Sequence, residues 1–234
     1  MKKLFVSILA IVCVLTGCTR HNNVTFEGNI TGADGCFLTV SRTCADETLF
    51  TDSVQIRNGR FSLTAPSGDD GSDFYCISLH DNNAFTTLAN KGETVHIEAD
   101  ASSLVRTYRA TGSPDAERMC LLDRRLALFA DSTDHLMELY DYYRYDDTMR
   151  AKIESVYMKI RENHTAFLRD FIAQNSESIS CLAAFYQRYN RHKFFSEMED
   201  MELLQDIYST LKSCYPNNGN VIWLEERIEK IKGQ

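Results

Sequence analysis

The chain has 234 residues, 25 Lys and Arg against 33 Asp and Glu, a formal net charge of −8, and 44% hydrophobic residues. That length holds one large domain or two small ones. The acidic balance repels nucleic acid and anionic lipid, so neither a nucleic-acid partner nor membrane attachment through a basic patch is expected.

Met1-Lys2-Lys3 opens the chain, and a run from Leu4 to Leu15, apolar except for Ser7, follows. A charged start and a short apolar stretch are the first two parts of a secretory signal. The run is far shorter than the roughly 20 residues of a membrane-spanning helix. Leu15-Thr16-Gly17-Cys18 resembles the bacterial lipobox: small residues at Thr16 and Gly17 admit the peptidase, and the Cys18 thiol carries lipid. The expectation is a signal peptide over 1–17, lipidation at Cys18 and a polar tether over 18–23. The membrane is then the first partner, held by acyl chains that contribute about 0.8 kcal/mol per buried CH₂. Loss of Lys2 and Lys3 takes the net charge to −10. No Asp follows Cys18 and no acidic cluster comes next, which favours the periplasmic face of the outer membrane.

Eight cysteines suggest a disulfide framework, but Cys13 leaves with the signal and Cys18 is lipidated. The remaining Cys36, Cys44, Cys76, Cys120, Cys181 and Cys214 lie in a compartment that permits disulfides. Six cysteines allow fifteen pairings. None form Cys-x-x-Cys, and most read as small buried hydrophobes.

Residues 24–112 carry short alternating runs separated by turn signals. Strands are expected at Val24–Ile30, Cys36–Val40, Thr48–Arg57, Arg60–Leu63, Phe74–Leu79, Ala84–Leu88 and Thr94–Ala99, with Val105–Thr111 as a last one. Asn58-Gly59 between two such runs is a strong hairpin signal. Seven or eight short antiparallel strands suggest a sandwich or open barrel.

Residues 113–234 change to a helical period. Ser113-Pro114 reads as an N-cap with Pro at the first helical position. Met119, Leu122, Leu126, Phe129, Thr133, Leu136, Tyr140 and Tyr143 are spaced 3-4-3-4-3-4-3, an a/d seam. A second long helix is expected over 147–174, with Met149, Ile153, Val156, Ile160, His164, Phe167 and Phe171 inward, forming an antiparallel hairpin with the first. Shorter helices are expected over roughly 178–190, 196–214 and 218–232. The fold class is α+β: an N-terminal antiparallel β-sandwich or open barrel, then a C-terminal helical hairpin or bundle.

Phe26-Glu27-Gly28-Asn29-Ile30, Asp52-Ser53-Val54, Asn58-Gly59-Arg60-Phe61, Lys91-Gly92-Glu93-Thr94-Val95-His96-Ile97 and Thr111-Gly112-Ser113-Pro114 together resemble the β-rich N-terminal domain of unknown function in Bacteroidetes thiol:disulfide interchange lipoproteins. There a helical segment and a thioredoxin-like domain follow, and Tyr215 through Lys232 is similar to the helix before that domain. The resemblance implies a thioredoxin-like part beginning where this chain ends, at Gln234. No Trp-Cys-x-x-Cys occurs in these residues, so the family's redox residues have no counterpart position here.

Few side chains suggest chemistry. His135 and His164 stand where they can face each other across the helical hairpin, although a core or surface role is the first reading. Asp69-Asp70-Gly71-Ser72-Asp73 offers oxygen ligands for calcium but lacks the EF-hand spacing and closing glutamate, so it reads as a solvated turn. Asp141–Asp147 mixes carboxylates with Tyr142, Tyr143 and Tyr145, either a carbohydrate-type aromatic surface or, by preference, a helix end packed on the β half. Arg188, Arg191, His192 and Lys193 form a basic cluster suited to a helix C-terminus. Ser132 and Thr148, and less so Ser53, match a Bacteroidetes O-glycosylation sequon. No nucleophile elbow or phosphate-cradling glycine motif is present. No metal and no cofactor is expected. These features suggest a non-catalytic, periplasm-facing binding or scaffold module, taking an envelope protein or small-ligand partner between its two halves. The alternative is an accessory to periplasmic thiol–disulfide redox beside a separate thioredoxin-like protein. A hydrolase has only the carboxylate-rich 141–147 stretch in its favour.

Overall fold

A computed structural model describes residues 22–45, 47–68, 70–80 and 83–233. The signal segment, the lipobox and Cys18 lie outside these residues. Among the described residues no helix is long and apolar enough to cross a membrane.

The first half is β1 (Asn23–Thr31), β2 (Phe37–Cys44), β3 (Glu47–Gln55), β4 (Arg60–Pro66), β5 (Ser72–His80), β6 (Asn83–Asn90), β7 (Thr94–Asp100), a short α1 (Leu104–Thr107) and β8 (Arg109–Thr111). Two four-stranded sheets result, in the orders β4-β1-β7-β8 and β3-β2-β5-β6. Alternation along each strand turns Val24, Phe26 and Ile30 toward Leu38, Val40, Tyr75 and Ile77 in one buried core, the pattern of a sandwich.

Three local expectations are corrected. Asn58 and Gly59 both take positive φ, +51° and +74°, as a tight primed turn requires. However, only Arg57 and Arg60 bridge across it, and β3 and β4 then enter different sheets. The pairing is not wholly antiparallel, because β1 and β7 run parallel, with Gly28 opposite Ile97. Val105–Thr111 is not one strand. The Asn83 amide donates to the Ala101 carbonyl at 2.7 Å, its oxygen accepts from the Leu104 N–H at 2.7 Å, and the chain coils into α1 before β8.

The second half is α2 (Pro114–Tyr142), α3 (Asp147–Gln174), α4 (Ser180–Phe185), a two-stranded ribbon of β9 (Arg188–Tyr189) and β10 (His192–Lys193), α5 (Met201–Cys214) and α6 (Gly219–Lys232). Ser113 Oγ accepts from the Ala116 N–H at 3.3 Å and Pro114 follows, so α2 starts as its sequence dictates. Asp146 caps α3 by accepting from the Met149 N–H at 3.0 Å. The hairpin is antiparallel: Arg118 reaches Asn175, the Arg125 guanidinium lies 4.6 Å from the Phe167 ring centroid, and Phe129 meets His164. Val156 does not face inward. It is 45% exposed and Tyr157 packs in its place, as expected when a 3.6-residue helix drifts from a 3.5-residue seam.

The halves are joined through the second sheet. Phe74 and Leu88 belong to the helical core, while Ala116 and Cys120 of α2 complete the sandwich core. The chain enters at the end of the sandwich where Asn23 accepts from Gly92 and where Thr25 and Thr94 pair. Thr111, beside His96, brings α2 back to that same end. From there α2 runs to the opposite end, passing Tyr108 at Cys120 and Asp123 and Arg106 at Asp131. The hairpin beyond Asp131 therefore projects from the end opposite chain entry.

Candidate functional site

A cavity of about 790 Å³ lies in that projecting part rather than between the two halves. Its α2 wall is Thr133, Leu136, Met137, Tyr140 and Asp141. Its α3 wall is Ile153, Glu154 and Tyr157, and Tyr189 to His192 of the ribbon close the third side. The predicted seam explains this. Met119, Leu122, Phe129 and Thr133 are buried as a seam should be, but Leu136 and Tyr140 have no third helix over them. They face the cavity instead. A Tyr140–Glu154 hydrogen bond of 3.1 Å and the Arg150 guanidinium, 4.5 Å from the Tyr140 ring centroid, pin the open end.

The ribbon is held against α2 by chemistry that the helical reading of this segment missed. The Tyr189 hydroxyl donates to Asp134, and its ring meets Phe129 edge-on at 5.5 Å. Asn190 takes φ +53°, a left-handed conformation that Asn tolerates and that ends any helix. Arg188 to Lys193 is therefore a β-ribbon rather than a helix C-terminus, and Arg191 and His192 reach the cavity.

His164 sits beneath. The Gln187 amide nitrogen is committed to the Leu122 carbonyl at 3.3 Å, so its oxygen accepts from His164 Nε2–H at 2.7 Å. Burial lowers the pKa of this histidine. His135 does not approach it and instead lies exposed, 3.8 Å from Glu138. The tip carrying Asp141–Asp147 is not packed on the β half: Tyr142 is 79% exposed and Tyr145 91%. The described part of the acidic 69–73 loop, Asp70 to Asp73, serves the fold. Asp73 pairs with Arg42 at 3.3 Å, and Asp70 accepts from the Asn217 N–H at 2.9 Å, ahead of α6. Among the described residues no three His, Cys, Asp or Glu side chains are grouped to hold a metal ion. Ser132 and Thr148 are exposed on the helical hairpin, as is Ser53 on β3.

All six described cysteines are free thiols. Cys120 and Cys181 are buried, Cys44 and Cys76 half-buried, and Cys36 and Cys214 exposed, so burial is less general than the sequence suggests. Burial pushes the thiols of Cys44 and Cys76 up and that of Cys181 to about 12, which keeps them protonated and unreactive.

The most perturbed carboxyl is elsewhere. Asp123 accepts from the Tyr108 hydroxyl at 2.7 Å, and burial raises its pKa from 3.8 to about 6. The native chain then holds a proton that the unfolded chain releases between those pH values, so stability falls as pH rises from about 4 to 6. Asp123→Asn, still able to accept from Tyr108, is expected to be more stable than wild type by about 2 kcal/mol at pH 7, discounted for partial exposure. The gain should vanish near pH 3.5. Urea denaturation at the two pH values checks this, and an equal gain at both would contradict it.

No protein-family model and no curated protein matches the chain.

Proposed function

We propose that this protein is a lipid-anchored envelope lipoprotein that acts without catalysis, binding a small ligand or a partner's side chains in the groove between α2, α3 and the β9–β10 ribbon. The observation that carries this reading is the cavity: about 790 Å³, walled by Leu136, Ile153, Tyr140, Tyr157 and Tyr189, with most of its lining surface apolar. Sites of that size and lining are the usual form of a binding pocket. The groove replaces the space between the halves as the binding place, because direct hydrogen bonds cross that junction. Asn218 donates to Asp70 and Ser72 carbonyls, and Asn220 accepts from the Ala45 N–H. The anchor is Cys18 and the location is the periplasmic face of the outer membrane. Four residues lie between Cys18 and Asn23, so the two are at most about 18 Å apart along the chain. The membrane then lies toward the entry end of the sandwich, and the groove opens away from it. The family proposal is a relative of the β-rich front part of thiol:disulfide interchange lipoproteins.

The exposed thiols of Cys36 and Cys214 favour the second reading, an accessory to thiol–disulfide exchange. It has less support, because neither Cys36 nor Cys214 lines the groove.

A photo-crosslinking residue at Met137, 58% exposed on the groove rim, tests the first reading in intact cells, with Phe37, 57% exposed on β2, as the control position. An adduct is expected at 137 and not at 37. In the same cells Cys18→Ser should move the chain from the membrane to the soluble envelope fraction. Equal labelling at both positions would refute the groove, and undisturbed membrane attachment of Cys18→Ser would refute the anchor.

A further inference from the structure

We infer that the groove takes a neutral, largely apolar small molecule with a ring-sized body, from the aqueous side. This names the ligand class for the binding reading above and rests on it.

Two observations define the occupant. The first is shape. The α2 wall runs from Thr133 to Asp141, about two helical turns or 12 Å. The β9–β10 ribbon closes the groove along its third side, so a compact molecule fits and a long partner helix does not. The second is charge. Asp141 and Glu154 lie on the helical walls, Arg191 on the ribbon, and Arg150 over the Tyr140 ring. Two carboxylates against two guanidiniums leave no net attraction for an anion or a cation, while the tyrosine rings and Leu136 offer apolar surface. Because the groove projects from the end opposite chain entry, this ligand arrives from solution rather than from the anchoring bilayer.

The test uses residues 19–234, which retain every described strand and helix and both hydrophobic cores. Two probes share a ring system. N-phenyl-1-naphthylamine is neutral with one N–H, and 8-anilinonaphthalene-1-sulfonate adds a negative charge. The amine is expected to bind saturably at one site and the sulfonate about tenfold or more weaker. Leu136→Trp, which fills the groove, should weaken amine binding at least about tenfold. Circular dichroism confirms the fold of the variant. Equal affinity for the two probes overturns neutrality, and amine binding that survives Leu136→Trp overturns the site. A crosslink at position 137 without amine binding leaves the binding module standing and overturns the ligand class. Loss of both removes both readings.

Discussion

Gly28→Ala is expected to cost at least about 3 kcal/mol and to leave much of the chain unfolded at 37 °C, the largest single-methyl effect in the sandwich. Gly28 sits in β1, flanked on both sides, opposite Phe61 of β4 and Ile97 of β7. Its φ is +153°, and a Cβ added there would fall 1.8 Å from the Ile97 carbonyl oxygen. Nothing flexible can yield, because that oxygen is backbone in the strand next door. A glycine inside a strand where another backbone approaches this closely is irreplaceable. Gly32 is the matched control. Its φ is +77°, but the nearest atom to a new Cβ is the Ala101 methyl at 3.7 Å. Gly32→Ala should therefore cost only the backbone conformation, about 1 kcal/mol. Urea denaturation of the three proteins checks the order, and equal losses at the two glycines would refute the close-approach argument.

Local patterns in the sequence carried much of this architecture. Alternation located the strands because each has one face on a shared core, as Val24, Phe26 and Leu38, Val40 show. Capping located the start of α2, because Ser113 satisfies an N–H group that lacks a partner within the helix. Features decided between distant segments were not legible. The parallel pairing of β1 with β7 depends on which edge of the sheet the chain returns to, and nothing in Thr94–Asp100 alone encodes a direction. The β9–β10 ribbon was hidden because Arg188, Arg191 and His192 suit a helix end as well as a turn, and the one local signal was Asn190. The groove was hidden for a deeper reason. An apolar seam reads the same whether another element covers it or not, so Leu136 and Tyr140 looked like Leu122 and Phe129. Only the packing shows that the cover stops after Thr133.

That dependence on distant segments is sharpest where the two halves meet, although the sequence changes period near Gly112 as if two domains were strung together. Asp115, in the first turn of α2, accepts hydrogen bonds from Ser72 of β5, from Ser178 ahead of α4 at 2.6 Å, and from Arg118 at 2.7 Å. Arg118 in turn holds Asn175 at the end of α3, and Ser178 meets Ser180 at 2.7 Å. One carboxylate thus ties the second sheet to three helices. Asp115→Ala leaves buried Ser72 and Ser178 and a half-buried guanidinium without their acceptor, and the expected loss is about 3 kcal/mol. The manner of unfolding matters as much as its cost. Trp223 of α6 packs edge-on against Tyr186 and reports on the helical half, while far-UV circular dichroism reports on the whole. If the network makes one cooperative body, wild type and Asp115→Ala each unfold in a single transition that both probes trace together, with the variant shifted to lower urea. A Trp223 transition that precedes the rest in the wild-type protein would mean that the helical half stands alone. The hairpin groove would then be carried by a hinged domain rather than held rigidly away from the anchored end.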